Sequence, residues 1–252
     1  MREALHASMR HWHRIVGDSS EGGGALERDG VVAALVPAAP ERSFINAVVY
    51  DHHDALAAAY DEIAAAYAEF GAKWTVWVRA DDTATKELLE GNGHLLDAAP
   101  MAMGLDLTQR PPRRPADGEL PPWTASGDAA DVGTVNDRAY PFGGDSISRA
   151  LTRSPHEDVR LYVAHENGRP VACTAAIDTD GNSEVQMVAV VPEARGRGLA
   201  GKLIAHSLAD AVERGATTST LVATQLGYPV YEKLGFEPLG VLEMWERRPD
   251  ER

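Results

Sequence analysis

The chain has 252 residues, of which 44% are hydrophobic, and this is enough to bury a core in each of two small domains. Its net charge of -14 speaks against nucleic acid as a partner, because phosphate contacts require clustered Lys and Arg side chains. A single cysteine, Cys173, excludes an intramolecular disulfide, and because no apolar run is long enough to span a membrane we expect a cytoplasmic protein without a membrane partner.

The first part of the chain, up to a proline-rich segment, has the pattern of one α/β unit. Apolar runs bounded by turn residues indicate strands, and apolar residues at three- and four-residue intervals indicate a helix. In chain order the sequence predicts a strand at 30–36, a strand at 44–50, a helix with an apolar stripe at 56–70, a strand at 73–78, a short helix at 84–90 and a closing strand at 101–107.

A second set of elements follows the proline-rich segment. Between Thr108 and Pro122 the chain carries five prolines without periodicity, which is typical of an extended linker. After it the sequence predicts helices at 128–140 and 146–152, strands at 159–164, 169–177 and 184–191, a helix at 198–214, a strand at 218–223, a short helix at 229–234 and a last strand at 239–245. The repeated order predicts a duplicated α/β fold, in which a mixed, mostly antiparallel sheet is flanked by helices.

The glycine-rich stretch before the 198–214 helix fits three phosphate-binding patterns at once. Residues 195–202 contain G-x-G-x-x-G, G-x-x-x-x-G-K and R-x-x-G-x-A. A dinucleotide site needs an acidic residue near the end of the next strand, and a P-loop needs Ser or Thr after its lysine; this chain has no acid in 218–224 and has Leu203 after Lys202. What remains is a strand, a loop and a helix, whose free N–H groups and positive end suit a pyrophosphate without a metal.

A second motif, Gly227-Tyr-Pro-Val-Tyr-Glu-Lys-Leu-Gly-Phe236, follows the loop in the order found in one family. With both motifs, residues 128–247 resemble the GNAT superfamily of N-acetyltransferases. The resemblance implies acetyl-coenzyme A as co-substrate, no metal, direct acetyl transfer in a ternary complex, and an acceptor that is a primary amine on a small molecule or a peptide. It also allows a homodimer, and it leaves the acceptor and the transfer of succinyl or another acyl group open.

The resemblance assigns cofactor binding to a strand end, to the glycine loop and to the start of the second motif. In the family the strand splays from its neighbour and pairs with the pantetheine arm. The cofactor-binding residues it implies are Val188, Ala189, Val190, Arg195, Gly196, Arg197, Gly198, Leu199, Ala200, Gly201 and Thr224. Thr224 occupies the place of an asparagine that the family usually carries.

Two proton-transfer roles follow from the same resemblance. Tyr231 stands where the family has a tyrosine acid for the departing thiolate, although a tyrosine that only packs on the cofactor fits the pattern too. Glu184, 11 residues before Arg195, stands where some members carry a glutamate base, and ordered water is the alternative. A main-chain N–H near Val188 would stabilise the oxyanion. The segment Tyr140–Ser146 is the candidate substrate loop, with a plain turn as the alternative.

The first unit lacks these features. Its strand is followed by Tyr50-Asp-His-His-Asp54, where carboxylates would repel a pyrophosphate, and Leu89 takes the place of the tyrosine. We therefore predict a degenerate, non-catalytic domain at 1–110, a linker at 111–122 and a catalytic domain at 123–252. The degenerate half and the missing asparagine keep an alternative open, a non-catalytic acyl-coenzyme A sensor or interaction module. The histidine pairs at 11/13 and 52/53 have no third ligand at a suitable spacing, so no metal site is predicted.

Overall fold

The computed structural model describes residues 1–116, 118–125, 127–140, 144–152 and 156–249. Its helices are α1 (Arg2–Ser19), α2 (His53–Glu69), α3 (Thr83–Gly91), α4 (Ala129–Ala139), α5 (Ser146–Ala150), α6 (Leu199–Glu213) and α7 (Tyr228–Lys233). Its strands are β1 (Gly24–Arg28), β2 (Val31–Leu35), β3 (Ala47–Tyr50), β4 (Trp74–Arg79), β5 (Leu95–Ala98), β6 (Met101–Asp106), β7 (Trp123–Ala125), β8 (Val159–Glu166), β9 (Arg169–Thr179), β10 (Asn182–Val190), β11 (Thr218–Ala223) and β12 (Glu237–Arg247). The predicted mixed α/β fold is confirmed.

Helix α1 was absent from the sequence prediction. Its apolar residues Leu5, Met9, Trp12 and Val16 recur at three- and four-residue intervals and are all buried, so the helix packs one face on the sheet. Three histidines and three arginines on its other positions obscure this stripe in the sequence.

Among the described residues, no helix combines the length and the apolar character that a membrane span requires.

The strand predicted at 44–50 begins only at Ala47. Residues before it form a turn that Asn46 closes from inside the protein: its Oδ1 accepts a hydrogen bond from the main-chain N–H of Val36 at 2.8 Å, and its Nδ2 donates to the carbonyl of Ala39 at 2.9 Å. Nδ2 also donates to the carbonyl of Arg42 at 3.2 Å, and a buried amide that satisfies three main-chain groups holds the turn and prevents an extended strand there.

The strands form one continuous sheet in the order β1-β2-β3-β4-β12-β6-β11-β10-β9-β8-β7, with β5 attached to β12. The pairs β3 with β4 and β10 with β11 are parallel, and the others are antiparallel. Helix α4 covers the face that carries Cys173, whose Sγ lies 3.3 Å from Nδ2 of Asn136. Helix α6 covers the opposite face, where the ring of His206 contacts Tyr162 at 6.0 Å.

The closing strand of each half of the chain, before and after the segment 111–122, pairs with a strand of the other half. Strand β12, from the second half, pairs with β4 of the first half, and β6, from the first half, pairs with β11 of the second half. The two closing strands also pair with each other. As a consequence, Trp245 of β12 is buried in the apolar cluster of the first half, and Met103 and Leu105 of β6 are buried in a cluster of the second.

Matching irregularities occur in β5, which leads into the closing strand β6, and in the closing strand β12, at a constant distance along the chain. One extra residue, Asp97, interrupts the pairing of β5 with β12, and one extra residue, Leu239, interrupts the pairing of β12 with β6. Their separation, 239 − 97 = 142, equals that of Gly93 and Gly235, 235 − 93 = 142, and both glycines have positive φ, 79° and 94°. The two halves therefore turn into their closing strands in the same way.

Candidate functional site

The site begins where β10 and β11 separate. The two parallel strands are paired only from Asn182 to Glu184, opposite Thr218 to Thr220, although β10 continues to Val190. A bulge interrupts its pairing with β9 between Gln186 and Ala189, and Met187 there has a φ of 53°. A bulge increases the local twist and bends the strand, so β10 turns away from β11 and opens a gap between them.

The glycine loop follows this gap. Gly196 and Gly198 have φ values of 77° and 73°, which side chains other than glycine rarely adopt, and a Cβ on Gly196 would point into open space. Gly198 is the N-cap of α6. In the part of the chain that the structure describes, the main-chain N–H groups of residues 196–201 have no hydrogen-bond partner. Several free donors at a positive helix end form a site that fits a phosphate group.

The two arginine side chains of the loop already bind other groups of the protein, through hydrogen bonds and an ion pair. Arg195 donates from Nε to the carbonyl of Val190 at 3.1 Å and from Nη2 to the carbonyl of Ala139 at 2.8 Å. Arg197 forms a two-point ion pair with Glu166, with one contact of 3.0 Å between Nη1 and Oε2. Arg195 therefore fastens the loop to the end of α4, and Glu166 neutralises the charge of Arg197.

The predicted main-chain acceptors at the end of β10 also have internal partners. The hydroxyl of Tyr140 donates to the carbonyl of Val188 at 3.2 Å, and Arg195 occupies the carbonyl of Val190. Ala189 pairs with Cys173 of β9. Tyr140 thus lies across the open edge of β10. It had no assigned role in the sequence analysis beyond beginning the substrate loop, of which 141–143 lie outside the described residues.

Tyr231 packs in an apolar cluster with Val185 of β10 and Leu221 of β11. Its side chain is 8% exposed, its ring packs 6.2 Å from that of Phe236, and a Cβ on Gly227 would come within 2.8 Å of the ring. Burial, with a smaller effect of the nearby Tyr140, holds the pKa of Tyr231 well above its ordinary value. The hydroxyl is therefore protonated at neutral pH, and it is a weaker acid than an ordinary tyrosine.

Glu184 lies at the last paired position of β10, beside the beginning of the gap. Its side chain is 0% exposed, and Nε2 of Gln186 donates to its Oε1 at 2.9 Å. Burial raises the pKa of Glu184 to about 8, against the opposing effect of that hydrogen bond. One residue, Val185, separates Glu184 from Gln186 along the strand, so both side chains lie on the same sheet face. Gln186 was missed by the sequence analysis, although its spacing from Glu184 could have indicated the contact.

Thr224 lies at the start of the second motif. Its Oγ1 accepts a hydrogen bond from the main-chain N–H of Gly227 at 3.2 Å, and its carbonyl accepts two more, from Gly227 and Tyr228. The hydroxyl therefore closes the turn that leads into α7.

Cys173 is fully buried, and burial raises the pKa of its thiol to about 12, which excludes it as a nucleophile at neutral pH.

The corresponding positions of the first half have a different chemistry. Asp51, after β3, binds Nε2 of His6 at 2.8 Å and also contacts Arg10, so this strand end is covered by α1. Leu89, in the place of Tyr231, is fully buried in the apolar cluster of the first half. The main-chain N–H of Asp51 donates to the carbonyl of Gly30, and Leu89 has no hydroxyl group that could act as an acid.

Comparison with known proteins identifies the domain that carries this geometry. The family model of the acetyltransferase (GNAT) domain matches residues 157–238. A curated relative from Streptomyces griseus, named as an uncharacterized N-acetyltransferase, is 41% identical over 105 residues, which are 42% of this chain and 24% of that protein. The chain thus spans about a quarter of the length of the curated relatives it matches. Residues 157–238 thus match the acetyltransferase (GNAT) domain, and a domain of this kind is an acyltransferase domain.

Solved structures resemble the chain over nearly its whole length. A GCN5-related N-acetyltransferase from Kribbella flavida has a TM-score of 0.68 at 18% identity and covers 98% of this chain and 96% of its own. A tandem GNAT protein from the clavulanic acid biosynthesis pathway has a TM-score of 0.58 at 17% identity, over 92% of this chain and 82% of its own. At these identities the likeness establishes the fold.

Proposed function

We propose that the protein is an acetyl-coenzyme A dependent N-acetyltransferase that transfers the acetyl group to a primary amine by direct transfer in a ternary complex. The observation that carries the proposal is the combination of a gap between β10 and β11 with the loop of free N–H groups at 196–201. A gap beside a strand edge suits an extended pantetheine arm, and the loop suits the pyrophosphate at its end.

The loop would hold the co-substrate mainly through its main chain. Six consecutive N–H groups, from Gly196 to Gly201, have no hydrogen-bond partner among the described residues, and together with the positive end of α6 they favour a doubly charged diphosphate. Arg197 would add its charge once the diphosphate competes with Glu166. Arg195 would position the loop instead of binding phosphate, because its Nε and Nη2 already donate to two carbonyls. The main chain at Val188–Val190 would meet the pantetheine arm after the Tyr140 hydroxyl is displaced.

The proton transfers are assigned to Glu184 and Tyr231. The amine nitrogen forms its bond to the thioester carbonyl carbon while the carbon–sulfur bond breaks. The carboxylate of Glu184 receives a proton from the amine, and the hydroxyl of Tyr231 gives a proton to the departing thiolate. A main-chain N–H near Val188 would stabilise the charge on the carbonyl oxygen. A pKa of about 8 makes Glu184 a stronger base than an ordinary glutamate.

We further propose that the chain is a tandem protein, with a catalytic second half at 123–252 and a non-catalytic first half at 1–110. Two observations support this: the constant separation of 142 residues between matching glycines and matching bulges, and the sequence Asp51-His-His-Asp54 after β3, which has two carboxylates and no glycine. A neighbouring structure is described as a tandem GNAT protein. The segment 111–122 would join the halves while lying on α6, since Arg114 binds Asp210 at 2.6 Å and Glu213 at 2.8 Å.

A thiol-release assay tests the proposal. Acetyl-coenzyme A would be offered with amino acids, polyamines, aminoglycosides and peptides with free N-termini, and calorimetry would measure its binding in parallel. We expect binding, and thiol release with at least one class of amine. Binding without transfer or hydrolysis for any amine would favour the sensor alternative, whereas no binding would overturn both.

A pair of glycine substitutions distinguishes an effect on the phosphate-binding loop from an effect on the stability of the whole protein. Gly198 and Gly168 have nearly equal φ values, 73° and 72°, and Gly168 lies in the β8–β9 turn. Alanine at either position costs on the order of 1 kcal/mol of backbone strain. Only Gly198→Ala should weaken binding of acetyl-coenzyme A, and equal affinities of the two variants would contradict the loop assignment.

A further inference from the structure

Two histidines and an aspartate from distant parts of the sequence meet at the edge of α1. Nε2 of His11 lies 2.9 Å from Oδ2 of Asp158, and Nδ1 of His156 lies 3.3 Å from the same oxygen. The three possible ligand atoms all lie within 4.8 Å of one another. The sequence analysis predicted no metal site because no third ligand is close to His11 in the chain. The fold supplies two ligands from a segment about 145 residues later.

The main chain fixes the positions of all three residues. His156 and Asp158 belong to one turn, closed by a 2.9 Å hydrogen bond from the N–H of Val159 to the carbonyl of His156, and the carbonyl of Asp158 accepts from the N–H of Asp178 at 3.0 Å. His11 lies between the buried residues Met9 and Trp12 on α1. A site whose ligands are anchored before the ion arrives loses little conformational entropy on binding.

Two contacts of His156 compete for the same ring nitrogen, Nδ1. Its Nδ1 accepts a hydrogen bond from the main-chain N–H of Asp158 at 3.3 Å, which requires a lone pair on that nitrogen. The same nitrogen faces Oδ2 of Asp158 at 3.3 Å, where a lone pair would meet a negative oxygen. Nδ1 can satisfy one of these contacts as an acceptor and the other only as a donor. A cation among Nδ1, Nε2 of His11 and Oδ2 of Asp158 would attract all three.

We propose that His11, His156 and Asp158 bind one divalent transition-metal ion. Two imidazoles and one carboxylate favour Zn²⁺, Co²⁺, Ni²⁺ or Cu²⁺ over Mg²⁺ and Ca²⁺, which prefer oxygen ligands. With metal–ligand bonds of about 2.0–2.1 Å, neighbouring ligands of a tetrahedral ion lie about 3.3 Å apart, which is inside the range of distances in this cluster. The partial exposure of His156 and Asp158, 46% and 41%, leaves room for water to complete the coordination.

The ion would connect the two halves of the chain. Helix α1 belongs to the first half, whereas His156 and Asp158 lie in the second half, just before or at the start of β8. His11 and Asp158 also line a cleft of about 1070 Å³ between α1, the β9–β10 turn and the start of β12. Binding of the ion would therefore stabilise the contact of α1 with the second half and place a positive charge at the wall of this cleft.

The test uses the tag-free, metal-free full-length protein with Co²⁺ and Zn²⁺ as probes. We expect one equivalent of Co²⁺ to give a visible d–d spectrum, Zn²⁺ to displace it, and Zn²⁺ to raise the thermal midpoint. His11→Ala and His156→Ala should each weaken binding by at least about tenfold. Asp158→Asn keeps the size of the side chain and should weaken binding without loss of folding, which circular dichroism checks.

The chain offers a matched control pair. Nε2 of His165 lies 2.9 Å from Oδ2 of Asp131, with exposures of 23% and 35% that resemble those of His11 and Asp158, but no third ligand of the described residues joins them. His165→Ala should leave the affinity for Zn²⁺ unchanged. The proposal is wrong if the protein binds less than one equivalent of either ion, or if His165→Ala weakens binding as much as His11→Ala does. Since neither result requires acetyl transfer, the test is independent of the proposed function.

Discussion

The carboxylate of Glu184 is held by a single side-chain partner, because Nε2 of Gln186 donates to Oε1 at 2.9 Å while Oε2 is buried without a hydrogen-bond partner among the described residues. An orphaned carboxylate oxygen favours the protonated form, in agreement with the pKa of about 8. A general base with this pKa is half in its active form near pH 8. If Glu184 is the base, this one contact contributes to the pH dependence of catalysis.

If Glu184 is the base, kcat should rise as the pH increases through about 8, because the carboxylate form becomes dominant there. Glu184→Gln should lower kcat by about 100-fold or more and remove this dependence. The control is Glu232→Gln, at an exposed position of α7. Steady-state kinetics from about pH 6 to about pH 9.5 distinguish the alternatives, and an unchanged profile in Glu184→Gln would assign the proton to water.

The same residue should make the folded state less stable at high pH. The folded pKa of about 8 exceeds the ordinary value of 4.5, so between these values the folded protein keeps a proton that the unfolded chain has released. Stability then falls as the pH rises through this window, by up to about 1.4 kcal/mol per pH unit. Urea unfolding at about pH 6.5 and about pH 8 should show this fall in the wild-type protein. Glu184→Gln should not show it, and equal slopes would contradict the buried carboxylate.

The substitution Tyr231→Phe tests whether the hydroxyl of Tyr231 is the general acid. The substitution keeps the ring that packs against Phe236 and Gly227, and removes only the hydroxyl. If that hydroxyl protonates the thiolate, kcat should fall by about 100-fold while the affinity for acetyl-coenzyme A stays the same. Tyr228→Phe, on the same helix, is the matched control. A parallel loss of kcat and affinity in Tyr231→Phe would indicate a packing role instead.

The ion pair of Arg197 with Glu166 predicts that loss of the Glu166 charge strengthens the binding of coenzyme A. A carboxylate at 3.0 Å from the guanidinium lowers the positive charge available to a diphosphate. Glu166→Gln should therefore tighten binding of coenzyme A by a few-fold, and Arg197→Ala should weaken it by a similar factor. Calorimetry at low and high salt measures both, and the effects should shrink at high salt. Weaker binding in Glu166→Gln would show that the pair supports the shape of the loop.

Much of the second half could be predicted from the sequence, because its signals are local. The β11 prediction at 218–223 matches the observed strand, and the glycines at 196 and 198 adopt the positive φ that a tight loop requires. The partners of the loop cations were not predictable, since Ala139 and Glu166 lie more than 30 residues away from Arg195 and Arg197. Helix α1 was missed because charged residues and histidines interrupt an apolar stripe whose burial only the fold reveals.

The exchange of the closing strands could not be predicted from the sequence, because a closing strand has the same apolar pattern whichever half it completes. The exchange predicts that the halves are inseparable. Separation would remove Trp245 from the core of the first half and Met103 from that of the second, and would leave the edges of β4 and β11 unpaired. A protease site inserted in 111–122 and cleaved in the intact protein should give two fragments that co-elute on gel filtration and separate only in denaturant. Without its partner, each half expressed alone should aggregate. Two folded monomers that elute separately after cleavage would show that each closing strand can complete its own half.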